Sequence, residues 1–252
     1  MKSSISRIKL FKACRRAYYF KYIEGLEPVE KADALKTGSS YHKLLEELYT
    51  NNCHWDYQDF SKERAMAEAY YKYIYPRFEI KAVEEWRQKD IGNHSLIGRI
   101  DGFSKDGCIV EHKTTSSEIS EAYEYNLLWD EQILAYMYLT GSHKVYYTVC
   151  RKPTIRQKKN ESDEEFFNRM LAWYDEDTDS KIKLLVITRT DEEIQRFVNG
   201  FEDICNDMES ETNLYMNTQY CNCWGRRCEY SSICLNYNPD EDYIEFTKGG
   251  RK

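Results

Sequence analysis

SLIGRIDGFSKDGCIVEHKTTS, residues 95–116, is the stretch whose reading decides the fold. Apolar and β-branched residues run up to Lys105-Asp106-Gly107 and then resume, and Asp-Gly supplies the chemistry of a tight turn, so the stretch predicts a β-hairpin. Side chains alternate along a strand. Ile109, Glu111 and Lys113 therefore share one face of the second strand, and Cys108, Val110 and His112 take the other. Asp101, near the end of the first strand, brings a second carboxylate toward Glu111. Two carboxylates converging in a cleft suit a hard divalent cation such as Mg²⁺, and Lys113 adds a fixed positive charge beside it. The bland alternative is the solvated face of a hairpin in a chain that is 31% charged.

The 252 residues allow one large domain. With 36 basic against 43 acidic residues the net charge is -7, so there is no global positive field and any contact with nucleic acid must be local. No apolar run approaches the length of a membrane span. The first residues lack an apolar signal region, so a cytoplasmic setting is expected, in a bacterial or phage-infected cell. The nine cysteines are then expected to be ligands or buried thiols and not disulfides.

Around the hairpin the chain reads as helices, then strands, then strands alternating with helices. Together they predict one α/β domain with a mixed sheet flanked by helices. Residues 3–24 read as one helix, capped by Ser4 or Ser6 and ended by Gly25. Its polar side carries Arg7, Lys9, Lys12, Arg15, Arg16 and Lys21, interleaved with Tyr18 and Tyr19, the ingredients of a single-strand binding groove. A second helix begins at 37–42 with Leu44, Leu45 and Leu48 as its core stripe, and a third covers about 57–75. Residues 78–86 read as a strand and 87–94 as a polar turn. Glu84 and Glu85 are read as a surface pair, with a further metal carboxylate as the other reading. After the hairpin come a helix over 119–139 broken near Trp129-Asp130, a strand over 144–150, a helix over 162–174, a buried strand over 182–188, and a capping box at Thr190 opening a helix to about Asp207.

Cys221, Cys223, Cys228 and Cys234 crowd into a short irregular segment. In a cytosolic chain this favours a metal or cluster site over disulfides, and no close pair of Cys-x-x-Cys motifs, the usual form of a zinc site, is present.

Gly98-Arg99-Ile100-Asp101 followed by Glu111-His112-Lys113 resembles the PD-(D/E)xK nuclease superfamily. Cys14 in an aromatic, basic first helix, with Cys221, Cys228 and Cys234 in Cys-x-x-Trp-Gly-x-x-Cys-x-Tyr-x-x-x-Cys, resembles its iron-sulfur subgroup. That subgroup comprises RecB-like exonucleases, among them CRISPR-associated and phage proteins. Gly38 with His42, and Gln132 with Tyr136, match two further elements of that group, so the resemblance runs from about Ser4 to Cys234.

The resemblance implies a restriction-endonuclease-like domain over 1–237. Residues 1–25 and 214–237 would join at a [4Fe-4S] cluster, followed by a charged tail over 238–252. It implies hydrolysis of DNA from single strands or ends, in recombination, repair or phage DNA processing, with a recombination or helicase partner and no membrane. His42, Asp101, Glu111 and the backbone carbonyl of His112 would hold Mg²⁺ or Mn²⁺, and Lys113, Gln132 and Tyr136 would serve catalysis. Cys14, Cys221, Cys228 and Cys234 would hold the cluster, with Cys223 a competitor for the place of Cys221, and Lys12, Arg15, Arg16 and Tyr18 would contact DNA. Cys53, Cys108, Cys150 and Cys205 have no partners at ligand spacing. The rival reading is a non-catalytic iron-sulfur DNA-binding subunit of a recombination or CRISPR-type complex.

Overall fold

Gly107 takes φ +82°, and the strands it joins run antiparallel, with Gly102 opposite Val110 and Phe103 opposite Ile109. The structure, a computed structural model, describes residues 1–29, 33–50, 55–56, 58–223, 226–235 and 246–248. In chain order the first elements are β1 (Lys2–Ser4), α1 (Ile5–Ala13), α2 (Arg15–Tyr18) continued by a π-helical turn (Tyr19–Ile23), β2 (Leu26–Pro28), α3 (Asp33–Thr50) and α4 (Lys62–Tyr73). A 3-10 turn (Tyr75–Arg77) leads into β3 (Ile80–Ile91), β4 (His94–Ser104) and β5 (Ile109–Thr115). Then follow α5 (Glu121–Asn126), a 3-10 turn (Leu127–Trp129), α6 (Glu131–Thr140), β6 (Lys144–Arg151), α7 (Asp163–Glu176) and β7 (Ile182–Thr188). The chain ends with α8 (Asp191–Ser210), α9 (Thr218–Cys221), β8 (Asn222–Cys223), β9 (Arg226–Arg227), α10 (Ser231–Leu235) and β10 (Phe246–Lys248).

Two compact units result, one of residues 33–87 and 98–197, the other of 1–32, 88–97 and 198–252. In the first, the strand order is β3-β4-β5-β6-β7. The sheet is mixed, because β5 and β6 are parallel while β4/β5 and β6/β7 are antiparallel. A parallel pair needs a crossover, and α5, the 3-10 turn and α6 provide it. The His112 ring lies against Tyr70 of α4, and the next residue, Lys113, bonds Gln132 of α6. Successive strand residues face opposite ways, so helices cover both faces. Tyr41, Leu45 and Leu48 of α3, Met66 and Tyr70 of α4, and Tyr174 of α7 fill the core on the α4 side, the leucines and the methionine each stabilising the fold by roughly 1.5–3 kcal/mol through burial. Serines fix two helix starts. Ser61 caps α4 through the Arg64 amide, and Ser162 forms a full capping box with Glu165. Strand β7 matches its predicted bounds, yet it is the edge of the sheet and leaves Val186 exposed.

In the second unit β1 runs parallel to Ser95–Ile97 of β4, and β10 pairs with β2. Of the expected tail, 246–248 is thus a strand, and the remainder of 238–252 lies outside the described residues.

Four expectations need correction. Helix α3 begins at Asp33 and not at 37–42. Residues 3–24 are not one helix: Ser4 caps α1 through the Arg7 amide at 3.3 Å, but the backbone turns extended at Cys14 (φ -160°, ψ 112°) before helix resumes. Groups freed by the break find partners on the segment after α8. The Asn217 side chain donates to the Ala13 carbonyl at 2.8 Å, and the Arg16 amide donates to the Tyr215 carbonyl at 3.0 Å. Strand β3 does not end at residue 86 but continues through the polar stretch to Ile91, since backbone pairing with β4 does not depend on side-chain polarity. Helix α4 starts at Lys62 and not near 57, because Ser61 provides the cap. Tyr57, Cys53 and Trp224 lie outside the described residues.

Candidate active site

Four elements of the first unit converge. Strand β5 supplies Glu111 and Lys113, β4 supplies Asp101, α3 supplies His42, and β3 supplies Glu84. His42 Nδ1 lies 3.6 Å from Asp101 Oδ1, and one ligand atom from each of His42, Glu84 and Asp101 falls within 4.8 Å of the others. The second oxygen of Asp101 accepts from the backbone amide of His112 at 2.8 Å. Glu111 is 2% exposed. One of its oxygens accepts from the Lys113 ammonium, while Oε2 is buried and has no hydrogen-bond partner. An open cleft of about 660 Å³ leads in, lined by Ser39, His42, Glu84, Arg99, Asp101 and Lys152 among others.

Lys113 is held from a second side. Its Nζ donates to Gln132 Oε1 at 3.0 Å, Gln132 Nε2 donates to the Tyr136 hydroxyl at 2.8 Å, and that hydroxyl donates to the Arg99 carbonyl at 2.6 Å. The spacing of Gln132 and Tyr136 puts both on one face of α6. Gly98 makes room for them: a Cβ there would lie 2.9 Å from the Tyr136 ring and from Leu139. His112 points to the opposite face, where Nδ1 meets Thr148 Oγ1 at 2.7 Å. Burial there lowers its pKa to about 3, so the imidazole is a neutral, packed group.

Charge is distributed unevenly over the site. Burial, then the nearby Asp101 charge, pushes the Glu111 carboxyl up to about 7, against the opposing pull of Lys113. Burial alone would raise Asp101 too, but the hydrogen bond and charge of His42, with His112 and Lys113, bring it down to about 2. His42 is itself raised, because burial, which lowers it, is outweighed by the bond to Asp101 and the Asp101 charge together. For Lys113, burial is likewise overcome by the charges of Glu111 and Asp101, so the group remains an ammonium. Two buried carboxylates this close ionise together only beside additional positive charge. The Glu111 oxygen without a partner and the oxygen-rich donor set, completed by one imidazole, fit a hard divalent ion.

Glu84 is the residue sequence reasoning undervalued. It has φ +55°, the only positive φ among the described non-glycine residues, a strain of roughly 1–3 kcal/mol that clusters at functional sites. It pairs with Arg99 Nε at 2.5 Å, and burial with the Asp101 charge raises its pKa. Its neighbour Glu85 pairs instead with Arg87, so the two carboxylates are not equivalent.

In the second unit, Cys14, Cys221, Cys228 and Cys234 are free thiols brought into one neighbourhood. Burial raises Cys228 to about 11, and the Cys14 and Cys221 sulfurs push it the same way. Burial also raises Cys234, with Cys14 and Cys221 adding to it and Arg16 opposing. Phe20, Tyr230 and Leu26 surround them. Cys108, Cys150 and Cys205 are buried elsewhere.

The residues proposed for DNA on the first helix divide. Tyr18 is 3% exposed, edge-on to Phe11 at 5.2 Å, and bonded to Arg7, so it offers no face to a base. Arg15 is tied to Glu211 at 2.8 Å and to Tyr215 at 3.1 Å. A sequence pattern of cations and aromatics does not reveal that the aromatics already stack with the cations. Lys12 and Arg16 are exposed. No helix among the described residues is long and apolar enough to cross a membrane.

No curated protein sequence matches the chain significantly. A solved structure described as an exonuclease, from Eubacterium rectale, is similar with a TM-score of 0.57 at 14% identity, over 96% of this chain and 90% of that one. An alkaline exonuclease from Laribacter hongkongensis matches with a TM-score of 0.41 at 13% identity, over 82% of this chain and 90% of that one. A phage-related exonuclease from Haemophilus somnus gives 0.38 at 17%, over 79% and 96%. Only the first of these three likenesses is strong enough to bear on the fold. The family model of the PD-(D/E)XK nuclease superfamily matches residues 2–235, nearly the whole chain and every residue of the converging site. The chain belongs to the PD-(D/E)XK nuclease superfamily.

Proposed function

We propose that this protein is a Mg²⁺- or Mn²⁺-dependent deoxyribonuclease that degrades DNA from ends or single strands. The observation that carries the reading is the buried Glu111 oxygen without a partner, beside Asp101 and an ammonium held by two hydrogen bonds. His42, Asp101, Glu111 and the His112 carbonyl are the assigned ligands, with Glu84 added to them for its place beside His42 and Asp101. A divalent ion there would lower the pKa of a bound water and offset charge on the scissile phosphate. The protein's own share is positional. Lys113 stays charged, so it acts as a donor to the phosphate or the attacking water and not as a base. Gln132 and Tyr136 fix its direction by tying it to the backbone of β4. The exonuclease mode is supported by the similar fold described as an exonuclease. The test is incubation of purified protein with end-labelled single- and double-stranded DNA and each metal; no cleavage of either DNA with either ion would leave the rival reading, a non-catalytic DNA-binding subunit.

The charges of the site also make metal binding compete with protons. Glu111 holds its proton up to about pH 7, and His42 lies above its ordinary value. Both must be deprotonated to act as ligands. The Mn²⁺ affinity of the metal-free protein is expected to weaken as pH falls below 7, with a slope approaching about a hundredfold per pH unit once both groups are protonated, as read by calorimetry at fixed ionic strength. A pH-independent affinity would remove Glu111 from the ligand set.

As part of the same proposal, Cys14, Cys221, Cys228 and Cys234 hold a [4Fe-4S] cluster, with 1–25 and 214–237 as the cluster module of one nuclease domain over 1–237. Support comes from their convergence within an apolar, aromatic surround. A cluster held there would tie the two ends of the chain, which on the loop-entropy model stabilises by about 5 kcal/mol. Anaerobically purified protein is expected to be brown, with iron and acid-labile sulfide in near-equal amounts. Cys228→Ala should bleach it and lower its melting temperature. Stoichiometric zinc without iron would contradict the assignment.

A further inference from the structure

Tyr125, Leu128 and Trp129 are 60%, 52% and 72% exposed, an apolar group of three on the connection between the strand bearing Lys113 and the helix bearing Gln132. Such exposure of large side chains in so short a segment carries a cost in water unless something covers it. The segment is firmly mounted. Leu127 is buried beneath it, and its carbonyl accepts from Arg189 Nη2 at 3.0 Å. Lys183 Nζ donates to Glu124 at 2.6 Å, Ser120 caps α5 through the Tyr123 amide at 3.4 Å, and Asp130 caps α6 through the Gln132 amide at 3.0 Å. The Tyr125 and Trp129 rings lie 6.5 Å apart at 73°. What faces outward is therefore a fixed ledge and not a loose loop.

Its position selects the occupant. Gln132, which bonds Lys113 at 3.0 Å, lies three residues beyond Trp129, and three residues of chain span at most about 11 Å. A strand whose phosphate reaches Lys113 thus has its neighbouring nucleotides within reach of these rings. Aromatic faces take bases by stacking whatever the sequence. Bases inside a duplex have their faces covered, so only an unpaired or frayed strand can use the ledge. Two of the acidic neighbours on the segment are engaged, Glu124 with Lys183 and Asp130 at the helix cap.

We propose that Tyr125, Leu128 and Trp129 form a stacking ledge for unpaired bases, by which the protein selects single-stranded or frayed DNA ends. This rests on the nuclease reading given above. It also moves base stacking away from Tyr18, which is buried, to a place beside the reacting centre.

The test is anisotropy of a labelled 16-nucleotide single strand, and of the blunt duplex of the same sequence, binding to full-length protein without added divalent metal. Trp129→Ala is expected to weaken single-strand binding by about 5- to 150-fold, with Trp129→Phe restoring most of it and duplex binding changing less. Circular dichroism checks folding, and Leu128→Ala serves if the tryptophan variants do not fold. Single-strand affinity within twofold of wild type, or an equal loss on duplex, would overturn the ledge while leaving the nuclease reading standing. A change of oligomeric state with unchanged DNA affinity would overturn it in favour of a protein interface. Wild-type protein that bound neither DNA would overturn the ledge, and the nuclease reading with it if Mg²⁺ or Mn²⁺ also gave no cleavage.

Discussion

Glu111→Gln is expected to abolish DNA cleavage, by about 10³-fold or more, and at the same time to make the metal-free protein more stable at pH 8. The loss follows from the site: the substitution keeps the shape of the side chain but removes the charge that a divalent ion and the Lys113 ammonium both require. The gain follows from linkage. The folded-state pKa of Glu111 is raised to about 7 by burial and by Asp101, against about 4.3 for a free glutamate. A carboxyl raised in this way favours the fold fully below the unfolded value, and that contribution is lost as pH rises through 7. Wild-type protein therefore pays a penalty above pH 7 that the amide does not. Thermal melts of both proteins without metal should separate at pH 8 and draw together toward pH 4.5, while Mn²⁺ calorimetry shows weakened binding to the variant. Asp101→Asn should match the loss of cleavage but not the gain in stability, because Asp101 is lowered to about 2 and its charge favours the fold. Equal effects of the two substitutions on stability would mean that the charges of the site are not arranged as described.

The hairpin and the order of elements after it could be read from sequence because local rules govern them. Asp106-Gly107 specifies the turn, alternation places Glu111 and Lys113 on one face, and Asp130, Ser162 and Thr190 mark helix starts through side-chain caps. What sequence did not reveal depends on partners remote along the chain or on backbone torsion. Tyr215 and Asn217 satisfy the break at Cys14, and no pattern within residues 3–24 announces them. Arg15 and Tyr18 look available until Glu211, Tyr215, Phe11 and Arg7 are seen to hold them. Glu84 is the clearest case. Strand alternation assumes extended torsions, and a glutamate at φ +55° departs from that assumption at the one place where the departure brings a carboxylate to His42 and Asp101.

Lys113→Met should leave metal and DNA binding in place and reduce hydrolysis by about 10²–10³-fold, the usual cost of removing one donor aimed at developing charge. The carboxylates that hold the ion remain, and Met keeps the apolar length of the side chain. Tyr136→Phe acts on the same group at one remove. Its hydroxyl accepts from Gln132 at 2.8 Å and donates to the Arg99 carbonyl at 2.6 Å, so losing it frees Gln132 and loosens Lys113 without touching the substrate. A loss of about 10–100-fold in kcat is expected, the scale seen when a supporting shell is removed, with Mn²⁺ affinity unchanged. The combination tells the roles apart. If Tyr136 works only by directing Lys113, then Tyr136→Phe has no further effect once Lys113 is Met, and the two losses are strongly non-additive. Single-turnover rates of the two variants and their combination, with DNA affinity measured alongside, give the coupling directly. Additive losses would show that Tyr136 acts on the DNA independently of Lys113, and the chain from Lys113 through Gln132 to the backbone of β4 would be a packing feature without a part in the reaction.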